Sequence, residues 1–272
     1  MHHRRVAGIQ MTSTQDLTEN LNDAKRRIEE AVAQRAELVV LPEMFATMGM
    51  DEAGKVKHRE AIGQGPIQDF LHTQARRHGI WIVGGTIPIS ISGETNKVRA
   101  ACLVYNDQGE VYARYDKIHL FDVQLRASQE AYAESKMIEP GDAVVVIPTP
   151  FGKMGIGVCY DIRFPEFFRQ MQEKGVELIV LPAAFTYTTG VAHWDILVRA
   201  RAIENLAYVV TACQTGTHPN GRKTFGHSMI VNPWGEVKAV LQLDAGVVVA
   251  DINLADMAQV RADFPVLTHR KF

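Results

Sequence analysis

Three reactive side chains stand at the ends of apolar runs in this 272-residue chain. Cys159 follows Met154-Gly155-Ile156-Gly157-Val158 and precedes Tyr160-Asp161-Ile162-Arg163-Phe164-Pro165-Glu166, which reads as a helix start. A strand that turns sharply into a helix exposes a nucleophile, and the free N–H groups and positive dipole end of the helix favour a thiolate. Glu43 stands just past Leu38-Val39-Val40-Leu41, a buried-strand pattern stopped by Pro42. Lys117 is embedded in Val111-Tyr112-Ala113-Arg114-Tyr115-Asp116-Lys117-Ile118-His119-Leu120-Phe121, again after a strand pattern. Taken singly, each has a plain reading: a core cysteine, a capping or surface carboxylate, a solvated lysine. Taken together, they suit acyl transfer. An acid can take the thiol proton, and a fixed ammonium can stabilise an oxyanion.

With these motifs the chain resembles the nitrilase (carbon–nitrogen hydrolase) superfamily, whose Glu-Lys-Cys set occurs in this order. The resemblance runs from Val6-Ala7-Gly8-Ile9-Gln10-Met11 to Asn232-Pro233-Trp234-Gly235-Glu236, nearly the whole chain. It implies an α/β fold, a four-layer α-β-β-α sandwich, and a homodimer formed through helices near the nucleophile. It also implies roles. Cys159 would be the nucleophile and Glu43 the general base, with Lys117 and the backbone N–H of Tyr160 holding the oxyanion. A second glutamate is expected between lysine and cysteine. Glu134 in Ala133-Glu134-Ser135 fits that position, with Glu130 and Glu139 as neighbouring alternatives.

Within the superfamily, Ala183-Ala184-Phe185-Thr186-Tyr187-Thr188-Thr189-Gly190-Val191-Ala192-His193-Trp194 and Gln214-Thr215-Gly216-Thr217-His218 resemble the Nit-type amidases, in particular the deaminated glutathione amidase group. The sister ω-amidase group usually has Asn where Thr186 stands. The resemblance implies a small-molecule, carboxylate-bearing amide as substrate and no cofactor. Arg163 is a candidate fork for a substrate carboxylate, with an ion pair to Glu166 as the alternative. Thr186, Tyr187 and His193 are candidates for the cavity entrance, and Arg222 or Lys223 for the far end of the substrate. Glu166 and Glu204 read as buried acids paired with Arg169, Arg199 or Arg201.

The elements that must hold these groups alternate along the chain. Strands are expected at 5–10, 38–41, 80–85, 100–105, 111–115, 178–181, 207–212 and 227–231, and helices at 17–35, 66–78 and 191–205. Asn106-Asp107-Gln108-Gly109 reads as a hairpin turn. No linker or repeat interrupts the order, so one domain over 1–272 is expected, with 254–272 as a patternless tail that frays or reaches a partner subunit. A formal net charge of -2 gives no electrostatic reason to expect nucleic acid or an anionic membrane. No apolar stretch approaches the ~20 residues of a membrane span. Three scattered cysteines argue against a disulfide framework and fit a reducing, cytoplasmic setting. No metal-ligand spacing or phosphate loop occurs. His2 and His3 follow Met1 without establishing a tag.

Overall fold

The computed structural model describes residues 3–49, 52–93, 96–125 and 130–271; Met1, His2 and Phe272 lie outside them. Strand alternation builds the layers. In Leu38–Val40, Leu38 and Val40 join one apolar cluster and Val39 another; in Trp81–Val83, Trp81 and Val83 are likewise separated from Ile82. Successive strand side chains point to opposite faces, so a strand apolar throughout needs cover on both.

One sheet supplies the order Gly246–Asn253, His3–Gln10, Leu38–Val40, Trp81–Val83, Val98–Tyr105 and Ile87–Ser90, with Val111–Asp116 also paired to Val98–Tyr105. The other runs Val237–Val240, Met229–Val231, Tyr208–Cys213, Leu178–Ala183, Gly152–Ile156 and Val146–Thr149. Each contains three consecutive parallel strands. Helices Leu17–Ala33 and Pro66–His78 cover the first sheet through Ala24, Ile28, Ala31, Ile67, Leu71 and Ala75. Helices Pro165–Glu173 and Tyr187–Asn205 cover the second with Phe167, Phe168, Met171, Trp194 and Val198. The result is the four-layer α-β-β-α arrangement. The inner faces approach so closely that a Cβ on Gly8 would sit 2.2 Å from the Thr211 carbonyl oxygen.

Helix Pro66–His78 ends at Gly79 in the left-handed conformation (φ 61°), as its sequence signals. The helix read over 191–205 starts earlier, at Tyr187. Thr188, Thr189 and Gly190 are poor helix formers, but packing overrides propensity here: a Cβ on Gly190 would lie 2.3 Å from the Cβ of Phe225. The patternless tail forms helix Leu254–Asp263 and a short helical turn, Val266–His269. Met257 is buried, and Arg261 donates to the carbonyls of Leu206 (2.9 Å) and Val176 (2.7 Å). These contacts hold the tail against its own chain. Glu166 is exposed rather than buried, being in the first turn of its helix on the solvent side. Glu204 is half-buried and pairs with Arg201 (2.6 Å) and Arg169 (3.9 Å). Among the described residues, no helix is long and apolar enough to cross a membrane.

Candidate active site

Strands Leu38–Val40, Val111–Asp116 and Gly152–Ile156 release the chain at the rim of one cavity, where α/β sheets commonly bind ligands. The cavity measures about 190 Å³, and Glu43, Lys117, Glu134, Cys159, Tyr160 and Thr186 are among its lining residues. After Leu38–Val40, Pro42 turns the chain and Glu43 points inward. Gly85 supports that turn. It has φ 57°, and a Cβ there would come within 2.1 Å of the Pro42 carbonyl oxygen, so only glycine fits without displacement. The nucleophile candidate sits at its own sharp turn. Cys159 has φ 46°, a conformation that costs an L-residue energy, and opens a five-residue 3-10 turn.

Side chains remote in sequence meet here. The Lys117 ammonium donates to Glu43 Oε1 at 2.7 Å and to both oxygens of Glu134 at 2.9 and 2.8 Å. Glu43 Oε2 accepts the backbone N–H of Ala184 at 2.9 Å, and Glu134 Oε2 accepts that of Phe121 at 2.8 Å. The thiol of Cys159 lines the same cavity as Glu43 and feels its charge. Glu130 and Glu139 are elsewhere: Glu139 faces Lys97, while Glu130 lies beside Tyr132.

Burial and charge oppose one another in this cluster. Burial would raise the Glu43 carboxyl, but the charge and hydrogen bond of Lys117 outweigh it and hold Glu43 below its ordinary range. Burial would lower Lys117, yet Glu134 and Glu43 push it above the usual lysine value. The Cys159 thiol is raised well above its ordinary value by burial first and by the charge of Glu43 second. The resting arrangement around the sulfur is therefore an ionised Glu43, an ammonium and a neutral thiol. The expectation of a helix-stabilised thiolate is corrected here. The turn that begins at Cys159 is too short for an appreciable dipole, and a carboxylate rather than a cation touches the sulfur.

A buried carboxylate underlies the whole constellation. Asp161 accepts the Val158 N–H (2.8 Å), the His119 N–H (3.1 Å) and the Tyr115 hydroxyl (2.7 Å), and its Oδ1 is 2.7 Å from His119 Nδ1. It joins the turn bearing Cys159 to the segment bearing Lys117. The sequence reading missed this role, although Asp161 and His119 stand within the quoted motifs.

Of the expected entrance residues, Thr186 lines the cavity. Arg163, Tyr187 and His193 do not. The Arg163 guanidinium stacks on Phe185 (4.8 Å to the ring centroid) and lies 3.2 Å from His193 Nδ1. Phe185 and Tyr160, on whose rings Arg163 packs, line the cavity, whereas Arg163 itself is not among the lining residues. Tyr187 and His193 are exposed on helix Tyr187–Asn205. Lys223 is exposed, whereas Arg222 lines the cavity. Tyr132 and Met137, also in the lining, come from a segment with no readable pattern. A short hairpin, Asp122–Leu125 with Glu130–Ala133, delivers that segment to the site.

The carbon-nitrogen hydrolase family model matches residues 5–262. The chain belongs to the carbon–nitrogen hydrolase family. A deaminated glutathione amidase from Synechocystis is 41% identical over 269 residues, covering 98% of this chain and 98% of that protein. An omega-amidase from Xenopus tropicalis is 38% identical over 271 residues, covering 98% and 95%. The crystal structure of the C. elegans NitFhit protein superposes with a TM-score of 0.91 at 35% identity. That match covers 99% of this chain and 65% of the longer NitFhit chain. In this carbon–nitrogen hydrolase, then, the sequence expectation of a nitrilase-type sandwich agrees with both family and fold.

Proposed function

We propose that this carbon–nitrogen hydrolase is an amidase that cleaves deaminated glutathione to 2-oxoglutarate and cysteinylglycine through a cysteine thioester. The observation that carries the reading is the cluster Glu43–Lys117–Glu134 with the neutral thiol of Cys159 in the same cavity. The likeness to the Synechocystis deaminated glutathione amidase supports the substrate.

An amide resists attack because its carbonyl is weakly electrophilic and its amine leaves poorly; a covalent intermediate divides the difficulty. Glu43 accepts the Cys159 proton as sulfur bonds to the amide carbon. Charge collects on the carbonyl oxygen, facing the Lys117 ammonium and the Tyr160 N–H. Loss of one such donor typically costs ~2.7–4 kcal/mol of barrier. The C–N bond breaks as Glu43 returns the proton to the departing nitrogen, leaving a thioester on Cys159. Glu43 then takes a proton from water, whose oxygen adds to the thioester carbon; the C–S bond breaks and the thiol is regenerated. Glu134 keeps Lys117 charged and oriented throughout.

Because the thiol remains neutral until substrate arrives, proton transfer and attack are coupled. This avoids placing a second anion beside Glu43. A homodimer and a cytoplasmic setting complete the proposal. The exposed Val191 and Ile196 on helix Tyr187–Asn205 support the former as an unpartnered apolar face.

The test is a comparison of kcat/KM for deaminated glutathione and 2-oxoglutaramate, with trapping of the acyl-enzyme by intact mass. Preference for deaminated glutathione is expected. Preference for 2-oxoglutaramate would favour the omega-amidase reading, to which the Xenopus relative points. Turnover by Cys159→Ala would remove the thioester mechanism.

A further inference from the structure

Glu43 and Glu134 border two cavities. Besides the one that holds Cys159, a smaller cavity of about 50 Å³ adjoins them. Glu43, Met44 and Glu134 line both and so form the partition between them. Cys159 and Lys117 line only the larger.

Local sequence makes the room. Strands Ile87–Ser90 and Val98–Tyr105 are antiparallel neighbours, with Pro88 paired to Ala100. Directly opposed residues share a face of the sheet, and Val98, two residues from Ala100, shares it too. The methyl group of Ala100 leaves space there that a larger side chain would fill. Thr47 and Gly49, both half-buried, bring the cavity towards the surface.

The polar groups on this cavity have unused hydrogen-bonding capacity. Thr86 is 4% exposed, and its hydroxyl oxygen accepts the Met44 N–H at 3.0 Å. Its hydroxyl hydrogen has no acceptor among the described residues, and a buried donor left unmade costs free energy. Glu43 accepts from Lys117 and from the Ala184 N–H, which leaves its carboxylate further acceptor capacity. A buried water needs about 10–15 Å³ and 2–4 polar partners. The cavity supplies that volume, and Thr86, Thr47, Glu43 and Glu134 are the partners.

The reaction gives such a water a task. After acylation the departing amine stands in the larger cavity, and its return to the thioester would remake the amide. Water arriving from that side competes with it. Water held across the partition reaches Glu43 without crossing the amine's path.

We propose that the smaller cavity holds the deacylating water and feeds it to Glu43 from the side away from the leaving group. The proposal rests on the amidase reading above. Thr86 and Glu134 orient the water. Glu43 removes one of its protons as its oxygen bonds to the thioester carbon, and the other proton stays on the new carboxyl group. The C–S bond then breaks, and the sulfur takes the proton from Glu43. The acid leaves through the larger cavity, and a new water enters past Thr47.

The experiment sets water against a rival nucleophile. O-Benzylhydroxylamine is too bulky for the smaller cavity, since a benzene ring occupies a cavity of roughly 150 Å³; it reaches the thioester through the larger one. The substrate is whichever of deaminated glutathione and 2-oxoglutaramate the parent prefers. The ratio of hydrolysis to hydroxamate formation is measured for the parent and for Ala100→Val, which fills the smaller cavity. The ratio should fall roughly tenfold, as displacing a well-ordered water by an apolar group predicts, while the burst of released amine keeps its rate. An unchanged ratio, including an equal loss of both products, would overturn the proposal alone. Absence of an acyl-enzyme in the parent is a separate result, which defeats the amidase reading and the water's role with it. A crystal structure of the parent protein gives a readout apart from turnover. Water bonded to Thr86 and Glu43 in the smaller cavity is expected, and a dry cavity would overturn the proposal whatever the kinetics.

Discussion

Lys117 Nζ lies 2.7 Å from Glu43 Oε1, a contact between buried side chains 74 residues apart in sequence. With Glu134 on its other side, Lys117 separates two carboxylates that would otherwise face each other. The ion cluster is at once a structural brace and the chemical centre, so substitutions here divide between stability and rate.

Removing the ammonium leaves the buried Glu43 and the half-buried Glu134 uncompensated. Lys117→Met should lower stability by about 3–5 kcal/mol, the usual cost of breaking a buried pair from one side. It should also abolish measurable turnover. Urea unfolding of the purified variant checks the first, and thioester trapping the second. Unaltered stability would mean that Lys117 is solvated.

Glu134→Gln keeps the shape and an oxygen for Lys117 but removes the charge. Loss of a hydrogen bond to a charged group amounts to about 1.5–3 kcal/mol, so kcat should fall roughly 10- to 100-fold. KM should change little. A change confined to KM would assign Glu134 to substrate binding instead.

The pH dependence follows from the directions of the shifts. Burial opposes ionisation of Glu43, but Lys117 holds its carboxyl below the ordinary range. The reaction needs Glu43 ionised, so activity should persist as pH falls through the usual carboxylate range and decline only below it. Stability has the same sign. A depressed folded-state value contributes stability that is complete above the unfolded pKa and is lost as pH falls through the folded one. Glu43→Gln should therefore flatten the acid side of a stability profile. Since burial raises the Cys159 thiol, iodoacetamide should label the resting enzyme slowly near neutrality; rapid labelling at mildly acidic pH would contradict a neutral thiol.

Asp161→Asn tests the brace beneath the site. The carboxylate takes hydrogens from Val158, His119 and Tyr115, and an amide places an NH2 against at least one of these donors. A buried group left unsatisfied costs about 1–3 kcal/mol. Thermal unfolding should show that loss, and kcat should fall as the turns bearing Cys159 and Lys117 drift apart.

Gly85→Ala should be harmful although Gly85 carries no functional group. The left-handed backbone alone costs an L-residue roughly 1–2 kcal/mol, and the new Cβ would collide with the Pro42 carbonyl oxygen. Displacing Pro42 moves Glu43, so activity should fall by more than the stability loss explains. Normal kcat in a folded variant would show that the turn can yield.

Much of this architecture is written locally. Leu38–Val40 is apolar on both faces and stopped by Pro42, so it reads as a covered strand with Glu43 beyond its end; Pro66–His78 carries both its proline start and its glycine stop. Cys159 and Lys117 are marked as candidates by the apolar strand patterns that precede them, whereas Glu134 is expected only from the family resemblance, with Glu130 and Glu139 as alternatives. Other features depend on contacts that no local pattern encodes. Tyr187 begins a helix because Gly190 fits against Phe225, and the tail helix is held by carbonyls of Val176 and Leu206. Arg163 and Arg222 show the limit most plainly. Both are guanidinium groups beside candidate motifs, yet the first packs on Phe185 and Tyr160 while only the second is among the cavity-lining residues. Sequence determined which chemistry the chain carries, since side-chain identity sets what can attack, donate or accept. Only the tertiary structure decided which charges share a cavity and in which protonation state they rest, because burial and through-space neighbours set those energies.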